Sequence, residues 1–390
     1  MTILFLSSFP IDANKGGVQR VTETLALEFK RLEHSVIYLC VAEHAPVEVK
    51  GIPQYIFPDA VNKILNCQDY LVGLVDKLKI DVIINQASMH KQLLAILNGV
   101  AKRREKKVKI ITVHHNCISC YLENYRNIVL DNIGPTSILK RFDYPFVWWL
   151  LKRYNKIKYG NQFKKILDIS DNLVLLSPRF VAELKSYGVY KNINKVTAIP
   201  NPAPYRSQEG VEKFKENRLL YVGRLDYHQK RVDLLLDIWG RLQGSFPDWS
   251  FDILGDGPMR KHMQEKIAKL DLQRIILHGY ADPQPFLQRS KFFCMTSAFE
   301  GFGMVLVEAQ AYGVVPFAFN CYTGLQDIIV DKKSGMIFDK FDVDSYVKGL
   351  THLMRNEDLR QEMASNAQEG LVKYYPENIT DSWIKLMKQS

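Results

Sequence analysis

The chain has 390 residues, 47% of them hydrophobic and 24% charged, with only six cysteines and a formal net charge of +10. These values exclude disordered, collagen-like and disulfide-stapled classes, and the length suits two globular domains of about 150 to 200 residues better than a single core. The charge is uneven: residues 1–200 hold 28 Lys and Arg against 17 Asp and Glu, a net of +11, while residues 201–390 hold 24 against 25, a net of −1. A basic first half fits an anionic partner such as a lipid headgroup, a nucleic acid or a diphosphate-linked molecule; a merely soluble basic surface is the plainer alternative.

Ile3–Leu6 has no basic segment before it and is too short for the core of a signal peptide, so it reads as a first β-strand. No run approaches the roughly 18 apolar residues of a spanning helix. The cysteines at 40, 67, 117, 120, 294 and 321 lack framework spacing, and the expectation is free thiols in a cytoplasmic protein. A loop carrying Pro10 and the pair Gly16 and Gly17 then leads into a helix from about Val18 to Leu32. Strand, glycine loop and helix make a place where backbone can approach a phosphate, although a tight packing turn reads the same way.

Apolar runs at Val36–Leu39, Val82–Ile84, Ile110–Val113, Leu173–Leu176 and Val196–Ile199 alternate with helical stretches such as 62–79 and 91–104, the pattern of a parallel, doubly wound sheet. The segment ITVHHNCISC puts His114 and His115 at the carboxyl end of one predicted strand, where open α/β sheets hold their ligands. Either could hydrogen-bond a sugar, and structural histidines are the competing reading. Cys117 and Cys120 form a lone C-x-x-C, with no second pair to support a zinc or redox site. Residues 140–165 contain eight Lys and Arg, one acidic residue, Trp148 and Trp149. That mixture suits a lipid headgroup boundary, or else a helix whose aromatic face lies in the core.

Three prolines in Pro200–Pro204 stop both helix and central strand. The expected domains are therefore 1–200 and 201–376, followed by an amphipathic final helix at 377–390. A second series of strands starts near Leu219, with others near 251–254, 275–277, 292–295 and 314–319. The first opens into GRLDYHQKR, whose Arg224 and Lys230 form a fork and a mobile ammonium suited to a diphosphate, with ordinary surface cations as the alternative. Gly255–Pro258 reads as a structural turn and Asp342 in Asp342–Val343–Asp344 as a helix cap rather than a metal ligand. In residues 297–316 a loop through Glu300, Gly301, Phe302 and Gly303 leads into a buried helix beginning at Met304 and Val305. Free N–H groups at such a helix start attract phosphate, and Glu300 and Glu308 supply acceptors for sugar or ribose hydroxyls.

Taken together, the Gly16–Gly17 loop, His114 after a strand, VGRL with Lys230, GDGP and EGFGMVLVE resemble the GT-B retaining glycosyltransferases of family 4, over nearly the whole chain. The resemblance implies two Rossmann-like domains facing across a cleft, with the final helix crossing back to the first domain. It implies a nucleotide sugar held mainly by the second domain: Arg224 and Lys230 on the diphosphate, Glu308 on the ribose, and Glu300 with the backbone of Phe302, Gly303, Met304 and Val305 on the sugar and β-phosphate. Gly16 and Gly17 would approach the diphosphate, and His114 the sugar near the reacting carbon. No cofactor and no metal are expected. A UDP-sugar is the favoured donor, with a GDP-sugar as alternative, and the transferred group is hexosyl or N-acetylhexosaminyl. The expected acceptor is a glycan or lipid-linked molecule of cell-surface polysaccharide synthesis, met at the inner face of the membrane, with an anionic membrane surface and no nucleic acid as partner. A sugar-nucleotide epimerase or phosphorylase on the same plan and a non-catalytic basic module are the rival readings. One departure bears on the donor sugar: where the family often has Gly-Gly before a Pro-Glu pair, this chain has Thr323–Asp327.

Overall fold

The structure, a computed structural model, describes the chain except residues 14, 43, 45, 59–62, 104–107, 120–121, 123–143, 209, 211–214 and 390. Cys120 and the start of the basic aromatic stretch, 140–143, thus lie outside the described residues. The first half forms β1 (Thr2–Ser7), α1 (Gly17–Arg31), β2 (Ser35–Cys40), β3 (Glu48–Val49), β4 (Ile52–Ile56), α2 (Ile64–Leu78), β5 (Val82–Asn85), α3 (Lys91–Arg103), β6 (Lys109–His114), α4 (Pro145–Ile169), β7 (Asn172–Leu175), α5 (Arg179–Ser186) and β8 (Val196–Ala198). There follow β9 (Arg218–Val222), α6 (Asp233–Leu242), β10 (Ser250–Leu254), α7 (Arg260–Lys269), β11 (Ile275–Gly279), α8 (Gln284–Arg289), β12 (Phe292–Met295) and α9 (Met304–Ala311). The last elements are β13 (Val315–Phe319), α10 (Leu325–Ile328), β14 (Met336–Phe338), α11 (Val343–Met354), α12 (Glu357–Gly370) and α13 (Pro376–Lys388). Among the described residues no helix is long and apolar enough to cross a membrane.

Two compact units result, one of Met1–Ile118, Phe146–Pro204 and Tyr374–Ser390, the other chiefly Tyr205–Lys373. The division falls after Pro204: Asn201 and Ala203 are buried, and Ala203 N donates to Tyr374 O of the same unit at 2.7 Å.

In the first unit the strand order is β3-β4-β2-β1-β5-β6-β7-β8, parallel except for the β3–β4 pair at the edge. Leu4 and Leu6 of β1 join Leu39, Ile83, Leu93 and Leu97 in one core cluster, while Phe5, pointing the other way, stacks on Phe29 of α1 with centroids 6.1 Å apart. Burial on both faces explains why these strands read as continuous apolar runs. The final helix belongs to this unit. It packs on α1, and Lys109 Nζ donates to the carbonyls of Leu386 and Gln389 at 2.6 Å, satisfying end groups that have no intrahelical partner.

The second sheet has the order β11-β10-β9-β12-β13-β14, all parallel. Its core is aromatic: Trp249 stacks on Phe292 at 5.5 Å, Phe292 meets Phe317 at 5.4 Å, and Phe338 meets Tyr346 at 5.0 Å. Trp239 is fully buried with its Nε1–H given to Gln273 O at 2.8 Å, so its area contributes without leaving a donor unpaired.

Strands β3, β4 and β14 were not expected from the sequence. β3 has two residues and β14 three, too few to show a period. β4 is masked by a buried Gln54, whose Oε1 accepts from Ile11 N at 2.8 Å and whose Nε2 donates to Pro46 O at 3.0 Å. Asp342 caps α11, accepting from Ser345 N at 3.0 Å, which accounts for the D-x-D without a metal. The core reading of the aromatic face around 140–165 fails for the start of α4, where Phe146 and Trp149 are exposed.

Candidate active site

Strand order reverses once in each sheet, between β1 and β5 in the first unit and between β9 and β12 in the second. Loops leaving the carboxyl ends at such a reversal diverge and leave a crevice, the usual ligand site of open α/β sheets.

In the second unit the loops after β9 and β12 are laced together. Ala298 N donates to Gln229 O at 2.7 Å, and Thr296 Oγ1 to Lys230 O at 2.9 Å. Across this seam Lys230 Nζ reaches Glu300 Oε1 at 2.6 Å, and Ser297 Oγ donates to the same oxygen at 2.6 Å. Arg224, more than half exposed, pairs with the buried Asp226. Asp226 Oδ1 also accepts from Gln229 N at 2.8 Å and Lys230 N at 3.4 Å, and Tyr221 OH donates to Arg224 O at 3.0 Å. Both cations that the sequence offers to a diphosphate therefore already hold a carboxylate, and one buried aspartate fixes the loop that carries them. Asp226 escaped the sequence reading, which weighed the cations of GRLDYHQKR and passed over the acid between them.

The GDGP turn supports this loop from the side. A Cβ on Gly255, at φ 127°, would stand 1.9 Å from Gly223 O, and one on Gly257 2.4 Å from Leu225 O. Leu225 N donates to Asp256 O at 2.9 Å across that close approach. The turn is structural, as its composition suggests.

Gly303 precedes α9 in the left-handed conformation, φ 84°, and a Cβ there would meet Tyr322 OH at 2.6 Å. Tyr322 OH donates to Phe302 O at 3.0 Å. Glycine is thus required by backbone angle and by Tyr322, a reason different from the ligand approach that the sequence suggests. Met304 and Val305 open α9, whose first N–H groups lack intrahelical acceptors. Glu308 lies in the same helix and, like Glu300, is almost completely buried.

In the first unit Gly17 is the first residue of α1 and Gly16 the residue before it, extended at φ 165°. A Cβ on Gly16 would meet only the end of the Gln19 side chain, so neither backbone angle nor packing demands glycine there. His114 closes β6 and is buried, its Nδ1 2.9 Å from Ser88 Oγ and its ring edge-on to Phe163 at 5.0 Å. His115 is half-buried; its Nε2 lies 2.5 Å from Gln86 Oε1, while His115 Nδ1 and Gln86 Nε2 have no hydrogen-bond partner among the described residues. Burial, and secondarily the neighbouring His115, pushes His114 down to about 3, and burial pushes His115 down to about 4. At neutral pH both rings are uncharged and act as hydrogen-bonding groups. Ser88 and Gln86, on the loop after β5, are partners that only the fold reveals. Cys117 is buried and in no disulfide, and among the described residues no group of three or more His, Cys, Asp or Glu could hold a metal ion.

Residues 206–370 match the family described as Glycosyl transferases group 1, and residues 15–204 match Glycosyltransferase Family 4. The amylovoran biosynthesis glycosyltransferase AmsD of Erwinia amylovora is 32% identical over 49% of this chain and 56% of that protein. The lipopolysaccharide 1,6-galactosyltransferase of Escherichia coli is 30% identical over 63% of this chain and 70% of its own. The match to the GalNAc-alpha-(1->4)-GalNAc-alpha-(1->3)-diNAcBac-PP-undecaprenol alpha-1,4-N-acetyl-D-galactosaminyltransferase of Campylobacter jejuni covers 96% of both chains at 25% identity. The chain spans about half the length of AmsD and of an uncharacterized Haemophilus influenzae glycosyltransferase, 56% and 54%. Among solved structures, the lipopolysaccharide outer core galactosyltransferase WaaB in its apo form superposes with a TM-score of 0.71 at 18% identity over 99% of both chains. Anabaena HepE in complex with UDP-glucose does so with a TM-score of 0.72 at 15% identity, over 99% of this chain and 98% of that one. The fold is therefore the two-domain GT-B fold, and with both halves matched in series the chain belongs to the group 1 and family 4 glycosyltransferases.

Proposed function

We propose that this chain is a retaining, metal-independent glycosyltransferase that moves a hexosyl or N-acetylhexosaminyl group from a UDP-sugar to a lipid-linked glycan or glycolipid acceptor. It would serve cell-surface polysaccharide synthesis from the cytoplasmic side of the membrane. The observation that carries the reading is the Lys230–Glu300 pair at 2.6 Å, on loops that meet at the strand reversal of the second sheet and lead into α9.

In this reading Arg224 and Lys230 take the diphosphate. Negative charge grows on the departing oxygen as the glycosidic bond lengthens, so cations held in place before the reaction stabilise the transition state more than the ground state. The N–H groups from Phe302 to Val305 add a positive helix end for the β-phosphate. Glu308 accepts from the ribose hydroxyls and Glu300 from the sugar. Lys230 is then shared between Glu300 and phosphate, which couples sugar recognition to charge neutralisation. Gly16 and Gly17 let backbone approach the diphosphate, and neutral His114 hydrogen-bonds the sugar near the reacting carbon. Retention follows if the acceptor hydroxyl enters on the face that the diphosphate leaves, with no covalent intermediate and no nucleophile from this chain.

Two relatives support the substrate classes. HepE was solved with UDP-glucose, and the Campylobacter enzyme is named for an undecaprenol-diphosphate-linked acceptor. The test is transfer from UDP- and GDP-sugars to a lipid-diphosphate acceptor in EDTA, with the product anomer read by NMR. An α-linked product from an α-UDP-sugar supports the proposal. Inversion, a need for magnesium or activity with GDP-sugars alone contradicts the corresponding part.

A further inference from the structure

The first half of α4 presents apolar side chains that the fold does not bury. Phe146, Trp149, Leu150, Tyr154 and Ile157 are 66%, 55%, 45%, 62% and 57% exposed. At the helical period they fall on one stripe, with Arg153 among them and its guanidinium 5.8 Å from the Trp149 ring centroid. Lys152 and Lys156 line one flank of the stripe and Lys158 the other, while Asn155 is buried on the inward side and the stripe ends at the buried Gly160. From Pro145 to Gln162 the sequence contains no acid.

Tyr154 and Ile157 also border a groove of about 790 Å³ between α3 and α4, whose lining includes Leu94, Ile169, Lys91, Lys158 and Lys165, with Asp168 its one acid. Single exposed apolar residues are ordinary on a soluble protein, but a contiguous stripe of them edged by lysines is the pattern of a helix lying in a lipid interface. Trp and Tyr suit the headgroup layer, and the lysine stems let apolar surface sink while the charges stay at the phosphates. A second copy of the chain docking by the same face would set like charges against like, which disfavours a symmetric dimer.

We propose that this half of α4, together with the α3–α4 groove, docks in plane on an anionic bilayer, burying the stripe and placing the flanking lysines on lipid phosphates. The inference rests on the lipid-linked acceptor proposed above, since such an acceptor is reached only at a membrane, and it names the face that meets it.

The test is co-sedimentation with phosphatidylcholine vesicles with and without phosphatidylglycerol, alongside tryptophan quenching by bromolipid. Binding should require phosphatidylglycerol, fade with salt, and bring Trp149 within reach of the quencher. The double variant Trp149→Ser, Leu150→Ser should lower binding at least about tenfold with its melting temperature and nucleotide binding retained. Lys152→Gln, Lys156→Gln and Lys158→Gln together should weaken binding and flatten its dependence on salt. Protein left in the supernatant at low salt, or undiminished binding by the stripe variant, overturns the proposal. A wild-type dimer abolished by the stripe variant overturns it in favour of self-association. Sugar transfer to a water-soluble acceptor analogue separates the two claims: if transfer persists while vesicle binding fails, the docking face alone is wrong, and if transfer also fails, the functional reading falls with it.

Discussion

Lys230 and Glu300 hold each other at 2.6 Å with side chains only 18% and 9% exposed, and Ser297 donates to the same carboxylate oxygen. Two ionised groups so little hydrated are tolerable because each is the other's counter-ion. Any ligand that takes one of them must therefore satisfy the other.

The costs of removing the two partners should thus not add. In a double-mutant cycle read by chemical denaturation, Lys230→Met and Glu300→Gln should each destabilise, with the pair less destabilised than their sum by about 1–3 kcal/mol. Additive losses would mean the pair is not coupled.

Arg224 and Asp226 should separate stability from turnover. Arg224→Ala removes a largely exposed side chain, so the melting temperature should hold while turnover falls about a hundredfold, with EDTA present throughout. Asp226→Ala strips acceptors from the N–H groups of Gln229 and Lys230 and should lower both. Steady-state kinetics beside thermal melts distinguish the two outcomes.

Glu308→Gln should raise the donor KM with kcat little changed, by the equivalent of about 1.5–3 kcal/mol, because a neutral amide is the weaker acceptor for ribose hydroxyls. An unchanged donor KM removes Glu308 from the ribose.

Much of the fold was legible because strands buried on both faces leave apolar runs, as Ile3–Leu6 and Phe292–Met295 do. β4 was hidden by Gln54, a polar core residue whose partners come from distant sequence. At the site, the residue types of Arg224, Lys230, Glu300 and Glu308 announced a charged ligand, and chain order alone put the first two on one loop. Their pairing through Asp226 and Ser297 depends on loops from adjacent strands whose sequence positions lie far apart. For α4 the sequence left a headgroup boundary and a core face as equal alternatives, because an aromatic run fits either until the neighbours are known.

Acid should destabilise the protein through the adjacent His114 and His115. Both are held near 3 and 4 when folded, against 6.5 ordinarily, so below about pH 6.5 the unfolded chain binds protons that the folded one does not. Stability is full above that pH and falls as pH drops toward 4, by about 1.4 kcal/mol per unit for each ring. His115→Gln should flatten the slope of unfolding free energy between pH 6 and about pH 4.5. An unchanged slope would assign the acid sensitivity to other groups.

Whether the second unit binds a nucleotide diphosphate through Arg224, Lys230 and Glu308 without metal is decided by thermal melts with UDP and GDP in EDTA. A ligand that binds only the folded state raises its melting temperature. UDP should raise the melting temperature of the wild type, and raise it much less in Arg224→Ala and Glu308→Gln. No rise with either nucleotide, a rise with GDP alone, or an undiminished rise in both variants would contradict this mode of binding.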